Sequence, residues 1–151
     1  MILRKNNANV LVFGTFDCGV HPGHLFFLKF AKEMGFTISV MLSTDANVKK
    51  LKKENPVYSY AERKKQLLEL GFISNVYKED ANKNWISLKK INPDIIVLGH
   101  DQIEWRHKLE ELIKKYKILC VIKNVNLSYH RDKYSSTLLR NSINSKVIKT
   151  Q

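Results

Sequence analysis

Residues 9–24 read Asn-Val-Leu-Val-Phe-Gly-Thr-Phe-Asp-Cys-Gly-Val-His-Pro-Gly-His. The run Asn9–Phe13 is apolar, short and rich in branched side chains, which makes it a buried strand rather than a helix, and Gly14 ends it. From Gly23 to Met34 the residues Leu25, Phe26, Leu28, Phe30 and Ala31 suit a helix packed on a sheet, with Gly35 as a C-terminal stop. Phe36–Leu42 then reads as a second strand, completing a strand–helix–strand unit.

The alternation continues outward from that unit. Lys49–Pro56 is basic and unpatterned and reads as an exposed loop. Tyr60–Leu70 regains helical spacing, and Val76-Tyr77 suits a short strand. Trp85, Leu88 and Ile91 recur at helical spacing on a third helix closed by Asn92-Pro93. Asp94–Leu98 is the clearest buried strand and again stops at a glycine, Gly99. Leu109–Tyr116 follows as a helix, Ile118–Ile122 as a strand and Ser136–Ile143 as a short closing helix. Strands alternating with helices predict an α/β protein: a doubly wound parallel sheet with helices on both faces. At 151 residues the chain suits a single domain, 1–151, with its core at about 9–143.

Composition bounds the function classes. Two cysteines, Cys18 and Cys120, make neither a disulfide framework nor a four-ligand zinc site, and a reducing cytoplasmic setting fits them. Cys18 reads as an inert small residue rather than a reactive thiol. The apolar runs fall far short of the roughly 20 residues of a spanning helix, so no membrane partner is expected. Lys and Arg total 26 against 14 Asp and Glu, a formal charge of +12, which raises nucleic acid as a partner. A non-catalytic nucleic-acid-binding module would interleave Arg with exposed aromatics. Only 5 of the 26 basic residues are Arg, and the aromatics fall mostly on apolar faces, so nucleic acid is not the expected partner.

In doubly wound sheets ligands bind beyond the carboxyl ends of the strands, where strand order reverses. Two segments leave such ends: Gly14–His24 and Gly99-His-Asp101. Two histidines separated by Pro22 and Gly23, where a loop becomes a helix, set imidazole donors beside free backbone N–H groups at the positive end of a helix dipole. That is an anion site, suited to the charge on a phosphoryl group in transfer.

Gly14-Thr-Phe-Asp17 followed by His21-Pro-Gly-His24 resembles the signature of the cytidylyltransferase-like nucleotidyltransferases. Ser43-Thr-Asp45, Arg63 in Tyr58-Ser-Tyr-Ala-Glu-Arg63, Pro93–Asp101 and Ser135-Ser-Thr137 resemble family positions in the same order. The resemblance implies a Rossmann-like fold and transfer of a nucleotidyl group from an NTP to a small phosphorylated acceptor. Attack would be direct and in line, with loss of pyrophosphate and with Mg²⁺ bound alongside the NTP. It implies catalytic roles for His21, His24, Lys52 and Arg63. Gly14, Thr15, Phe16, Asp17, Gly23, Lys53, Gly99, Asp101, Arg131, Ser135, Ser136 and Thr137 would bind the nucleotide. It further implies a homodimer. The chain departs from the family at one point: three residues, Cys18, Gly19 and Val20, separate Asp17 from His21 where two are usual. Gly19 is the residue best able to absorb the extra one, while a displaced His21 would leave a catalytically dead relative.

Two branches compete. Ser43-Thr-Asp45, Tyr58-Ser-Tyr60 with Arg63-Lys64, and Lys83-Asn-Trp85 resemble glycerol-3-phosphate cytidylyltransferases, which favours CTP and glycerol 3-phosphate. Val48–Lys52, Pro93–Leu98 and Gly99-His-Asp-Gln102 look closer to archaeal-type FAD synthases, which transfer AMP from ATP to FMN. Residues 126–134 lack the Arg-Thr-Glu-Gly stretch of the cytidylyl branch, with Arg131 and Lys133 as the available substitutes. The main expectation is the cytidylyltransferase, with the FMN adenylyltransferase as the alternative.

Overall fold

A computed structural model describes residues 7–81 and 84–125. Five strands form one parallel sheet: β1 (Asn9–Gly14), β2 (Thr37–Leu42), β3 (Asn75–Lys78), β4 (Ile95–Leu98) and β5 (Val121–Asn124), in the order β3-β2-β1-β4-β5. The order reverses between β1 and β4, so the loops leaving these two strands flank the crevice of a Rossmann-like sheet.

Because side chains alternate across a strand, β1 feeds two separate cores. Val10 and Val12 join Leu28 and Ala31 of α1 (Pro22–Lys32) and Leu67 of α3 (Tyr60–Leu68) on one face. Leu11 and Phe13 join Leu88 of α4 (Leu88–Ile91), Leu109 of α5 (Arg106–Tyr116) and Trp85 on the other. Helices therefore cover both faces, as the alternation predicted.

Four local expectations are corrected. The first half of the basic stretch Lys49–Pro56 read as a loop is helical: α2 spans Asp45–Lys52 and ends at Lys53 in a left-handed cap with φ of 61°, and only the residues from Lys53 onward are irregular. The Thr44 side chain caps its start by accepting from the Asn47 N–H at 3.0 Å, and only Asn47 and Val48 are buried, so it carries almost no apolar stripe. Trp85 lies outside α4, which is a single turn, and has a positive φ of 50°. Gly35 does not act through a left-handed cap. A Cβ there would collide with the Ala8 carbonyl and Val10, so the glycine allows close approach of the chain to β1. Finally, β5 begins at Val121 rather than Ile118. The closing helix expected at 136–143 lies outside the described residues.

Candidate active site

The loop from β1 into α1 is built around glycines with specific jobs. The Phe16 ring lies on Gly14, where any Cβ would overlap it, and Phe16 itself adopts φ of 47°. Gly19 takes φ of 87°, and its N–H donates to the Phe16 carbonyl at 2.8 Å, closing a turn over Asp17 and Cys18. Gly19 thus takes a left-handed conformation that its lack of a side chain allows, and His21 stands at the start of α1.

His21 is the N-cap of α1. Its Nδ1 accepts from the N–H groups of Gly23 (3.0 Å) and His24 (3.2 Å), while its own N–H donates to His24 Nδ1 at 3.3 Å. This reciprocal arrangement is a capping box made from two imidazoles. Since its Nδ1 accepts from two backbone N–H groups, the His21 ring carries its proton on Nε2, while the His24 ring also has the Gly19 carbonyl as a hydrogen-bond partner. The rings stack with centroids 3.6 Å apart, and Phe16 packs on His24 at 4.6 Å. Burial is the largest influence on His24 and lowers its pKa to about 3; the neighbouring His21 and Lys52 push the same way, against Asp17 and the Gly19 carbonyl. His21 is also lowered, by burial first, with Asp17 opposing. The pair is therefore two neutral N–H donors rather than two cations.

A stability consequence follows from the sign of the shift. Unfolded, His24 takes up a proton below about pH 6.5; folded, it refuses one until about pH 3, so acidification across that window favours the unfolded chain. Urea midpoints should fall between pH 6.5 and 5, and the fall should be shallower in His24→Asn. Identical slopes for the two proteins would contradict the assigned shift.

Beside the histidines, Asp17 is fully buried and accepts from Thr15 Oγ1 (3.1 Å) and Lys52 Nζ (2.9 Å). Lys52 reaches it from the last turn of α2, so the helix unseen in the sequence delivers the lysine. Lys53 is exposed at the cap. Arg63, on α3, is wholly buried: Nε donates to the Tyr58 carbonyl (2.9 Å), Nη1 to the Thr15 (2.6 Å) and Ser43 (2.8 Å) carbonyls, and Nη2 to Asp45 (2.6 Å). It joins the ends of β1 and β2 to α3.

Across the crevice, Gly99 follows β4 and Asp101 stands exposed on the 3₁₀ helix His100–Trp105. Gln102, to which no role was assigned from sequence, ties the two sides together: Oε1 accepts from the Gly99 N–H (3.1 Å) and Nε2 donates to the Phe13 carbonyl (2.9 Å). Asp45 was likewise quoted only as a family-like position. Arg131, Ser135, Ser136 and Thr137 lie outside the described residues.

Comparison with known proteins places the chain in a family. An FAD synthase of Methanococcoides burtonii is 38% identical over 104 residues, covering 69% of this chain and 71% of the relative. Another, from Thermococcus kodakarensis, is 31% identical over 131 residues, covering 86% and 87%. Among solved structures, a lipopolysaccharide core biosynthesis protein from Thermoplasma volcanium superposes with a TM-score of 0.73 at 24% identity, covering 81% of this chain and 98% of its own, which speaks for the fold. Residues 11–142, from the third residue of β1 onward, match the cytidylyltransferase-like family, so the chain belongs to that family and is a nucleotidyltransferase.

Proposed function

We propose that the protein is an FAD synthase, transferring AMP from ATP to FMN with release of pyrophosphate. The observation that carries this reading is the run of relatives named FAD synthase at 30–38% identity over most of the chain. It reverses the order of the two branches weighed from sequence, and CTP with glycerol 3-phosphate gives way to ATP with FMN.

In this reading an FMN phosphate oxygen attacks the α-phosphorus in line, forming one P–O bond as the bond to the β-phosphate bridge breaks and pyrophosphate leaves. His21 and His24 donate from Nε2 to the α- and β-phosphate oxygens, where negative charge gathers. As neutral donors fixed through their Nδ1 atoms, they need no reorientation as the charge develops. Lys52 clamps the phosphates, with Lys53 as an outer cation, and Arg63 holds Thr15 and the β2 end in register. Gly14, Thr15, Phe16, Asp17 and Gly23 form the phosphate loop, while Gly99, just past β4, and Asp101, on the 3₁₀ helix, bind the nucleoside. Arg131, Ser135, Ser136 and Thr137 complete the nucleotide site. Mg²⁺ supplies charge neutralisation on the triphosphate, whose oxygens are the ligands a hard cation prefers. The same reading takes the enzyme as a cytoplasmic homodimer.

The deciding experiment is pyrophosphate release from each of four NTPs paired with FMN, glycerol 3-phosphate and phosphocholine. ATP with FMN should be the productive pair, yielding FAD. Turnover of CTP with glycerol 3-phosphate instead would restore the other branch.

A further inference from the structure

Glu79 lies just past the end of β3 and is almost completely buried, its side chain unaccounted for by the chemistry above. Its carboxylate accepts from Asn47 Nδ2 at 2.9 Å through one oxygen and from Trp85 Nε1 at 3.2 Å through the other. Its backbone N–H donates to the Leu42 carbonyl at 2.9 Å, fixing it to the end of β2. Asn47 sits in the first turn of α2 and also donates to the Asp80 carbonyl at 3.1 Å. The last turn of the same helix carries Lys52. Helix α2 is thereby pinned at both ends, by Asn47 to Glu79 and by Lys52 to Asp17.

The third member of this set is held in an unfavourable shape. Trp85 has φ of 50°, a left-handed conformation that a bulky side chain rarely adopts, and such strain persists only where the surroundings enforce it. Here they do: its ring is 1% exposed and packs on Phe13 and Trp105 with centroids 5.3 and 5.8 Å away. Trp85 thus presents its N–H to Glu79 from a fixed base, and Glu79 presents its other oxygen to α2.

We propose that Glu79 is a positioning residue that acts through Asn47 and α2 to set where Lys52 stands against the nucleotide phosphates. The proposal rests on the assignment of Lys52 to the triphosphate. Both partners of Glu79 are donors, so Glu79→Gln, which offers one oxygen and one NH₂, must oppose a donor with a donor. Asn47→Ala cuts the same link from the helix side, together with the bond to the Asp80 carbonyl, and leaves the Glu79–Trp85 bond in place.

The test is a set of double-mutant cycles read by calorimetric ATP affinity and by kcat/KM for ATP. Glu79→Gln and Asn47→Ala should each weaken ATP binding and lower kcat/KM on the order of 10- to 100-fold, the scale of a misplaced group. In a Lys52→Ala background either change should add nothing further. If the losses multiply with that of Lys52→Ala, or if both single variants bind ATP like the parent, the proposal is overturned. Should Glu79→Gln fail to fold, Asn47→Ala decides alone. Because ATP affinity needs no acceptor, a protein that binds ATP but ignores FMN would sink the FAD synthase reading while leaving this test intact.

Discussion

Replacing His24 by alanine should lower kcat by about 10²–10³-fold, the usual loss when one preorganised donor to a developing oxyanion is removed. The ring is neutral, stacked on His21 and backed by Phe16, so alanine removes one donor at the phosphates and frees its stacked neighbour at once. The α1 cap survives in part, because Nδ1 of His21 still accepts from the backbone N–H groups of Gly23 and residue 24. The fold should therefore persist, which circular dichroism would verify alongside pyrophosphate release. A variant that folds and turns over within a few-fold of the parent would remove His24 from the chemistry. His24→Asn, which keeps a side-chain N–H, should retain more activity than alanine.

The largest loss of stability should come from Arg63→Ala. One guanidinium serves three backbone carbonyls, those of Tyr58, Thr15 and Ser43, as well as Asp45. Truncation leaves those carbonyls without their donor in the interior, and breaking buried sets of this kind costs about 3–5 kcal/mol. Asp45 is half exposed and is rehydrated, so the backbone carbonyls dominate the penalty. For a chain of this length that corresponds to roughly 10–20 °C in Tm. Arg63→Lys should recover little, because a compact ammonium cannot span four acceptors laid out for a planar fork. Thermal unfolding measures both, and a Tm within a few degrees of the parent for Arg63→Ala would contradict the assigned network.

How much of this could be read beforehand depended on whether the signal was local. Strand β1, the glycine at its end and the histidine pair at the start of α1 were legible because one contiguous stretch carries apolar run, turn residues and cap together. The role of Gly19 was legible for the same reason. Helix α2 was not, because only two of its residues are buried and its stability comes from the Thr44 cap and from Asn47 and Lys52 bonding to distant segments. Arg63 was picked out only through the resemblance, with a catalytic role; its burial reflects carbonyls contributed by residues 15 and 43, which no spacing rule brings together. Trp85 kept helical spacing with Leu88 and Ile91 and shares their core, yet its backbone follows the demand of Glu79 and the aromatic cluster rather than helix periodicity. Gln102 was hidden likewise, since its partner Phe13 lies 89 positions away.

The pairing of Lys52 with Asp17 changes when conformational freedom is lost. A lysine side chain carries about 2 kcal/mol of rotamer entropy, and an unrestrained one surrenders it when a ligand arrives. Here it is surrendered at folding, since Nζ is already tethered 2.9 Å from a carboxylate that is itself fixed by Thr15. An ammonium has three N–H groups, and with the side chain 29% exposed it can keep Asp17 on one while presenting another outward. Under the proposed function, an arriving triphosphate would meet a lysine whose arm is already held in place, so that less of this entropy is lost on binding.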